Sequence, residues 1–440
     1  MQLKVVKFGG SSLADAAQFK KVYDIIKSDK SRRFVVPSAP GKRSKDDTKV
    51  TDMLYICYDM AASGDIIDEY FGFIEKRYNE IIRELGIELS LEKEFEVIKN
   101  AFTHKAGKDY AASRGEYLNG KILAKYLDFD FIDPAEFIYF KDNGTLDSER
   151  TNLLLADELK RHDYAVIPGF YGSMPNDTIK TFSRGGSDIT GSIVARAAGA
   201  DVYENWTDVD GFLMADPRII DNPDIIRTIT YRELRELSYM GATVLHEDAI
   251  FPVRFAGIPI NIRNTNNPEA KGTLIVATSS KNDGHGVITG IAGKKGFSTL
   301  TIEKDMMNAE IGFGRRVLEV FEQNEVCFEH LPSGIDTLSV VVSTSELHKN
   351  KDKVLNGIFK AVTPDSMTVE DGIALIAIVG RGMVEAKGTA SRIFKSISDA
   401  DVNIKMIDQG SSELSIIIGI TEDDFEVALK AIYNEFCPKK

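Results

Sequence analysis

Short apolar runs alternate with stretches of helical periodicity over the first 270 residues or so, and this alternation limits the fold more than any other feature. Lys4 to Phe8 is an apolar run that ends in Gly9-Gly10, and residues 13–28 follow with Leu13, Phe19, Val22, Ile25 and Ile26 at helical spacing. Arg33 to Pro37 reads as the next strand, and further strands are expected at 129–133, 164–168, 201–206 and 258–263. Residues 50–62 and 65–127 read as helices broken at Gly64, Gly86-Ile87 and Gly107, and another helix is expected at about 187–199. Such a βαβα order implies a mainly parallel sheet covered by helices on both faces, with ligands gathered at the carboxyl ends of its strands.

The character changes after Gly272-Thr273-Leu274-Ile275, and 280–296, rich in Lys, Gly and Asn, reads as a linker or exposed hairpin. An internal repeat follows. Leu338-Ser339-Val340-Val341-Val342 matches Leu414-Ser415-Ile416-Ile417-Ile418 at an offset of 76, which also relates Gly312 to Gly388, Val317 to Ile393 and Val326 to Val402. Each copy reads as a βαββαβ unit, which leaves sheet edges open and tends to pair with its twin. The expected division is 1–280, 297–370 and 371–440, in keeping with a length of 440 residues, 43% of them hydrophobic.

A net charge of −13 argues against nucleic acid or an anionic membrane surface as partner. No apolar run approaches the roughly 20 residues that span a bilayer, and Met1-Gln2-Leu3-Lys4-Val5-Val6 lacks the features of a signal peptide. Cys57, Cys327 and Cys437 stand in no metal or disulfide spacing, which suits a cytoplasmic protein with reduced thiols. The six histidines form no zinc pattern.

Two glycine loops stand out. In Lys7-Phe8-Gly9-Gly10-Ser11-Ser12 a strand ends in two glycines and a hydroxyl pair before a helix. Backbone N–H groups of such a turn can meet phosphate oxygens, and Lys7 can neutralise a phosphoryl group in transit. A plain strand-to-helix turn with Ser12 as N-cap is the competing and simpler reading of these residues. In Phe182-Ser183-Arg184-Gly185-Gly186-Ser187-Asp188 a second loop opens a helix. Here Arg184 can clamp a carboxylate, Ser187 can bind an anion, and Asp188 can hold a metal or orient Lys7. Two anions must meet in phosphoryl transfer, and two such loops could bring them together.

Trp206-Thr207-Asp208-Val209-Asp210-Gly211-Phe212 and Asp216-Pro217-Arg218 form an acidic, glycine-bearing turn where a nucleotide base and ribose commonly lie. Glu116 follows Gly115 within a helix, where glycine costs about 1 kcal/mol against alanine and signals close packing or ligand approach, and a solvated surface glutamate is an equal reading of the same segment. Thr51 precedes Met53-Leu54-Ile56 and serves as well for an N-cap as for a ligand contact.

The ordered set KFGGSS, SRGEYL, GFYGS, SRGGSD, WTDVDG and DPR resembles the aspartate kinases of the amino-acid kinase family over nearly the whole chain. The resemblance implies an eight-stranded αβα sandwich followed by two ACT-type modules. It implies ATP and L-aspartate as substrates, 4-phospho-L-aspartate and ADP as products, and Mg²⁺ on the nucleotide. By position, Lys7 would stabilise the transferring phosphoryl group, Gly9, Gly10 and Ser11 would cradle phosphate, and Asp188 would organise the site. Arg184 would hold the α-carboxylate and Glu116 the amino group of aspartate, with Thr51, Phe170 and Ser187 completing that pocket. Thr207, Asp208, Phe212, Leu213 and Arg218 would contact ATP. The chain departs from its relatives at Leu213, where many carry tyrosine, at Thr243, where many carry lysine, and at Glu247, where proline is common.

The ACT-like region is expected to bind an end-product amino acid, lysine before others, through Glu310, Gly312, Phe313, Phe328, Glu329 and Ser333, and to pair chains into a homodimer or tetramer. The competing readings are a kinase for glutamate, acetylglutamate or a nucleoside monophosphate, and a catalytically inert amino-acid sensor. The stretch 65–108 is expected to be a lid or a packing insertion.

Overall fold

The structure, a computed structural model, describes residues 2–183, 185–242, 250–278, 286–384 and 386–437. The chain divides into one compact unit of residues 1–212, 227–231 and 244–279 and a second of 213–226, 232–243 and 280–440.

Among the described residues the first unit contains ten strands: β1 (Lys4–Phe8), β2 (Arg32–Pro37), β3 (Asp130–Phe131), β4 (Ala165–Val166), β5 (Tyr171–Ser173), β6 (Ile179–Thr181), β7 (Val202–Thr207), β8 (Thr228–Thr230), β9 (Ile260–Asn264) and β10 (Thr273–Val276). Eight of them form a sheet in the order β3-β4-β2-β1-β7-β9-β10-β8, and β5 and β6 pair as a hairpin. All neighbours in the large sheet run parallel except β9 and β10. The helices are α1 (Ala16–Lys27), α2 (Val50–Ser63), α3 (Asp68–Leu85), α4 (Glu92–Thr103), α5 (Lys108–Leu127), α6 (Ser148–Leu159) and α7 (Gly186–Ala198). Next come α8 (Tyr231–Tyr239), which apart from its first residue belongs to the second unit, and α9 (Phe251–Ala256) of the first.

Period-2 alternation assigns the two faces. Val6 and Phe8 of β1, Val35 of β2 and Trp206 of β7 join one core with side chains from α1 to α5. Phe8 stacks on Trp206 with ring centroids 5.9 Å apart. Lys7 and its register partner Asn205 point to the other face, the one that α7 covers.

The stretch 65–108 is a packing element. Phe71, Ile74, Tyr78, Ile81 and Ile82 of α3 and Phe95, Ile98 and Phe102 of α4 recur at helical spacing and are buried. Phe71 meets Phe95 and Phe102 edge-on, both at 6.1 Å between ring centroids. Each such ring contributes about 2–3 kcal/mol by burial. The three expected breaks fall on Gly64 and Gly86, left-handed C-caps with φ of 87° and 67°, and on Gly107, with φ of 103° at the start of α5.

The second unit is built on an antiparallel six-stranded sheet of β11 (Gly290–Glu303), β12 (Phe328–His330), β13 (Thr337–Ser343), β14 (Ser366–Val379), β15 (Met406–Asp408) and β16 (Ser415–Thr421), in the order β12-β13-β11-β14-β16-β15. Helices α10 (Phe313–Gln323), α11 (Thr344–Val362), α12 (Thr389–Asp399) and α13 (Phe425–Phe436) accompany it. Segments 213–226 and 232–243 are tied into this unit. The Ile291 amide donates to the Met214 carbonyl at 2.7 Å. The fully buried Glu233 carboxylate accepts from Thr289 Oγ1 at 2.6 Å and from Arg381 Nη1 at 2.8 Å.

Both ends of β11 and β14, and both ends of α10 and α12, are related by the expected offset of 76. The later strands depart from it: β13 and β16 are related by 78, because Thr299 opposes Val341 while Leu375 opposes Gly419. A two-residue slip keeps every side chain on its own face, so the apolar pattern matches at either offset. From Gly290 onward the expected linker 280–296 is the first half of β11, and residues 279–285 lie outside the described residues. Lys294, Lys295 and Gly296, which gave that stretch its polar look, are solvent-facing positions at a register shift before Phe297.

Candidate active site

The parallel strands β2, β1, β7 and β9 deliver their carboxyl ends to one edge of the sheet, where their exits are stitched together by backbone hydrogen bonds. Gly9 donates to the Trp206 carbonyl at 3.0 Å, Ser38 to Phe8 at 3.0 Å, Gly169 to Pro37 at 3.0 Å and Thr265 to Thr207 at 2.9 Å. The residues from both glycine loops come together along this edge.

Gly10 begins a 3-10 turn that runs to Leu13, and the first N–H groups of such a turn have no partner within it. The cradle is closed by a second segment. The Gly41 amide donates to the Gly10 carbonyl at 2.8 Å. A Cβ on Gly41 would stand 2.6 Å from the Gly10 carbonyl carbon, and one on Gly10 would stand 2.9 Å from the Ala39 oxygen, so only glycine fits at either place. Ser11 is exposed, whereas Ser12 is buried with its hydroxyl 2.7 Å from that of Thr265. Ser12 therefore does not cap α1; Asp15 does, accepting from the Gln18 amide at 2.9 Å.

Lys7 is 7% exposed, and its ammonium lies 2.5 Å from Asp188 Oδ1. The same oxygen accepts from Asn205 Nδ2 at 2.8 Å, while the Asp188 carbonyl accepts from the Tyr203 hydroxyl at 3.1 Å. Asp188 stands in the first turn of α7, where the helix dipole favours a carboxylate. Gly191 lets α7 approach β7, since a Cβ there would stand 2.4 Å from the Tyr203 hydroxyl. Asn205 and Tyr203 escaped the sequence reading because strand register alone sets Asn205 beside Lys7.

Glu116 is 6% exposed, and its Oε2 has no hydrogen-bond partner. Burial pushes its carboxyl up to about 8, against the lowering effects of nearby backbone amides and of the Lys7 charge. The preceding Gly115 is required by packing, because a Cβ there would stand 2.8 Å from that of Ala39 and 3.8 Å from Thr51 Oγ1. Thr51 thus lies beside the same helix turn. It is the second residue of α2, whose N-cap is Lys49, so capping is not its role.

Phe170 adopts φ of 84°, unusual for a bulky residue and held by flanking contacts. Its amide donates to Thr190 Oγ1 at 3.0 Å, and its carbonyl accepts from the Phe182 amide at 3.0 Å. Glycines at 169 and 186 allow this segment to lie against the start of α7, with Ser187 buried beside Gly169. A cavity of about 990 Å³ opens here, lined among others by Tyr55, Asp109, Phe170, Lys180 and Ser183. Arg184 lies outside the described residues, as do Thr243 and Glu247.

On the expected nucleotide side, Thr207 ends β7 with its hydroxyl 3.2 Å from Asp208 Oδ1, and Asp208 is exposed. Phe212 is 1% exposed and its amide donates to Thr273 Oγ1, so its ring packs inward and offers no open surface. Leu213 and Arg218 belong to the second unit. Leu213 bridges to Ile225, and the exposed Arg218 is paired with Asp216 at 2.6 Å. Among the described residues no group of three or more His, Cys, Asp and Glu side chains could hold a metal ion.

The expected effector residues lie in the second unit. Gly312, with φ of 78°, is the N-cap of α10, Phe313 is buried, and Phe328 is exposed on edge strand β12. The Glu310 carboxylate is held by Lys304 at 2.6 Å and by Arg316. Glu329 accepts from the Tyr239 hydroxyl, and Ser333 bridges to Leu338.

Residues 2–264 match the sequence profile of the amino acid kinase family, and residues 376–436 match an ACT domain profile. The chain is 40% identical to Aspartokinase 3 of Bacillus subtilis, over 99% of this chain and 98% of that one. Its structure superposes on that of Clostridium acetobutylicum aspartate kinase with a TM-score of 0.90 at 52% identity, covering 99% of this chain and 100% of that one. The fold is also that of E. coli aspartokinase III in complex with lysine and aspartate, with a TM-score of 0.69 at 24% identity and coverage of 99% and 100%.

Proposed function

The chain belongs to the amino acid kinase family, among its aspartate kinases, and from that premise we propose how its residues divide the transfer of the ATP γ-phosphate to the β-carboxylate of L-aspartate. The observation that carries the proposal is the meeting of Lys7, Asp188 and Asn205 beside a glycine-only cradle at the carboxyl edge of the sheet. Gly9, Gly10 and Ser11 receive the phosphates. Lys7 faces the phosphoryl group in flight, and Asp188 and Asn205 hold its ammonium in place. The acceptor carboxylate is already anionic near neutral pH, so the reaction needs positioning and charge neutralisation rather than a strong base.

Glu116 receives the amino group of aspartate. A buried carboxyl with an unpartnered oxygen suits a ligand that brings its own cation. Thr51, Phe170 and Ser187 complete this pocket, and Arg184 takes the α-carboxylate. Thr207 and Asp208 meet the nucleotide, with Phe212 packed beneath them; Leu213 and Arg218 belong to the same reading of the nucleotide side. Mg²⁺ arrives on the nucleotide phosphates.

The same reading makes this the first step towards lysine, threonine and methionine in the cytoplasm, with feedback by an end product, lysine before others, at the ACT modules. The lysine complex of E. coli aspartokinase III supports that choice by analogy of fold. Assembly as a homodimer or tetramer through those modules is part of it. ADP release measured with aspartate, glutamate and acetylglutamate in turn tests the substrate; turnover with glutamate equal to that with aspartate contradicts it.

A further inference from the structure

We propose that Arg77, on α3, is a positioning residue for phosphoryl transfer: it fixes the glycine cradle after β1 and the loop after β2 in one geometry. The proposal rests on the aspartate kinase reading above and adds to it a residue remote from every motif.

Arg77 is 4% exposed, and its guanidinium reaches the turn after β1 and, at two points, the loop after β2. Nη2 donates to the Ala14 carbonyl at 2.9 Å and to the Gly41 carbonyl at 2.8 Å, and Nη1 donates to Asp47 Oδ2 at 2.8 Å. Ala14 closes the turn that carries Gly10 and Ser11. Gly41 is the residue whose amide holds the Gly10 carbonyl. Two residues before it, Ala39 packs against the turn of α5 that carries Glu116, its Cβ 2.8 Å from where a Cβ on Gly115 would stand. One guanidinium therefore ties the phosphate cradle to the loop that packs beside the Glu116 turn. The carboxylate that anchors it is itself fixed, since Asp47 accepts from the amide and guanidinium of Arg43. Those bonds hold Asp47 well below the ordinary carboxylate range, so the anchor stays charged.

The chemistry favours arginine at this place. A planar fork can serve two carbonyls and a carboxylate at once, whereas a lysine ammonium is a single point charge on a flexible stem. Burial keeps water from competing for the two carbonyls. Reacting groups tolerate misplacement poorly, and a shift of about 1 Å can lower a rate about 100-fold.

The test uses the full chain with Arg77→Met, Arg77→Lys and Asp47→Asn. The readouts are kcat, KM for each substrate, ADP affinity by calorimetry and the thermal midpoint. Arg77→Met should lower kcat about 10- to 100-fold at a temperature where it remains folded, and ADP affinity should weaken in parallel. Arg77→Lys should recover part of that loss, and Asp47→Asn should fall between wild type and Arg77→Met. If Arg77→Met lowers the midpoint but leaves kcat and ADP affinity of the folded fraction within about threefold of wild type, Arg77 only supports the fold and the proposal fails. Should Arg77→Met not fold, Arg77→Lys and Asp47→Asn decide: graded losses support positioning, and wild-type values in both overturn it. Wild-type turnover is measured first, so an error in the substrate appears there. ADP affinity still reads the order of the cradle in that event.

Discussion

Lys7 Nζ and Asp188 Oδ1 lie 2.5 Å apart, one from the fourth residue of the central strand β1 and the other from the first turn of the helix that covers it. The pair gives the site a cation whose position is set by rigid elements on both sides. Lys7→Met and Asp188→Asn should each lower kcat about 100- to 1,000-fold. The double variant should be little worse than the poorer single one, because the two act as a unit. Steady-state kinetics of the three variants checks this.

The buried Glu116 carboxyl links substrate binding to pH. Its folded value of about 8 lies above the ordinary 4.5 expected of the unfolded chain. The folded state therefore holds the extra proton between those values, and stability falls as pH rises through that window. Glu116→Gln removes this slope, and by pH 8 it should unfold at a higher temperature than wild type in the absence of aspartate. Its KM for aspartate should rise at least tenfold, since a charge-assisted bond contributes about 1.5–3 kcal/mol. In wild type that KM should fall as pH rises towards 8. Thermal scans and KM measured between pH 6 and 8.5 give both slopes.

Two glycines with opposite surroundings test the cradle. Gly41→Ala pushes a Cβ to within 2.6 Å of the Gly10 backbone and should reduce kcat/KM for ATP about 100-fold. Gly72→Ala, on α3 with nothing within 4 Å, should leave kinetics unchanged and stabilise by about 0.5–1 kcal/mol. Denaturant titrations beside kinetics separate the two.

Lysine should inhibit the enzyme and raise its thermal midpoint. Glu329→Gln should weaken half-inhibition by lysine about fivefold or more, the scale of a typical coupling energy. Glu310→Gln should matter less, because Lys304 and Arg316 already hold that carboxylate. A lysine titration with no change in rate or midpoint would refute the effector assignment.

The sheet, the helices and the helix breaks at Gly64, Gly86 and Gly107 could be read from the chain, because periodicity and backbone sterics are local. The Lys7 and Asp188 loops were legible as motifs. Asn205 was not: only the pairing of β1 with β7 sets it opposite Lys7. Arg77 was hidden for the same reason, since its three partners lie 30 to 63 residues away along the chain. The change of repeat offset from 76 to 78 was invisible to an apolar pattern of period two. The polar look of 280–296 concealed a strand whose middle is solvent-facing.

The most direct test traps the product with hydroxylamine. Wild-type enzyme with ATP and L-aspartate should yield aspartyl β-hydroxamate together with ADP in equal amounts, and Lys7→Met should yield both about 100- to 1,000-fold more slowly. ADP release without hydroxamate, or hydroxamate formed equally well by Lys7→Met, would contradict the account.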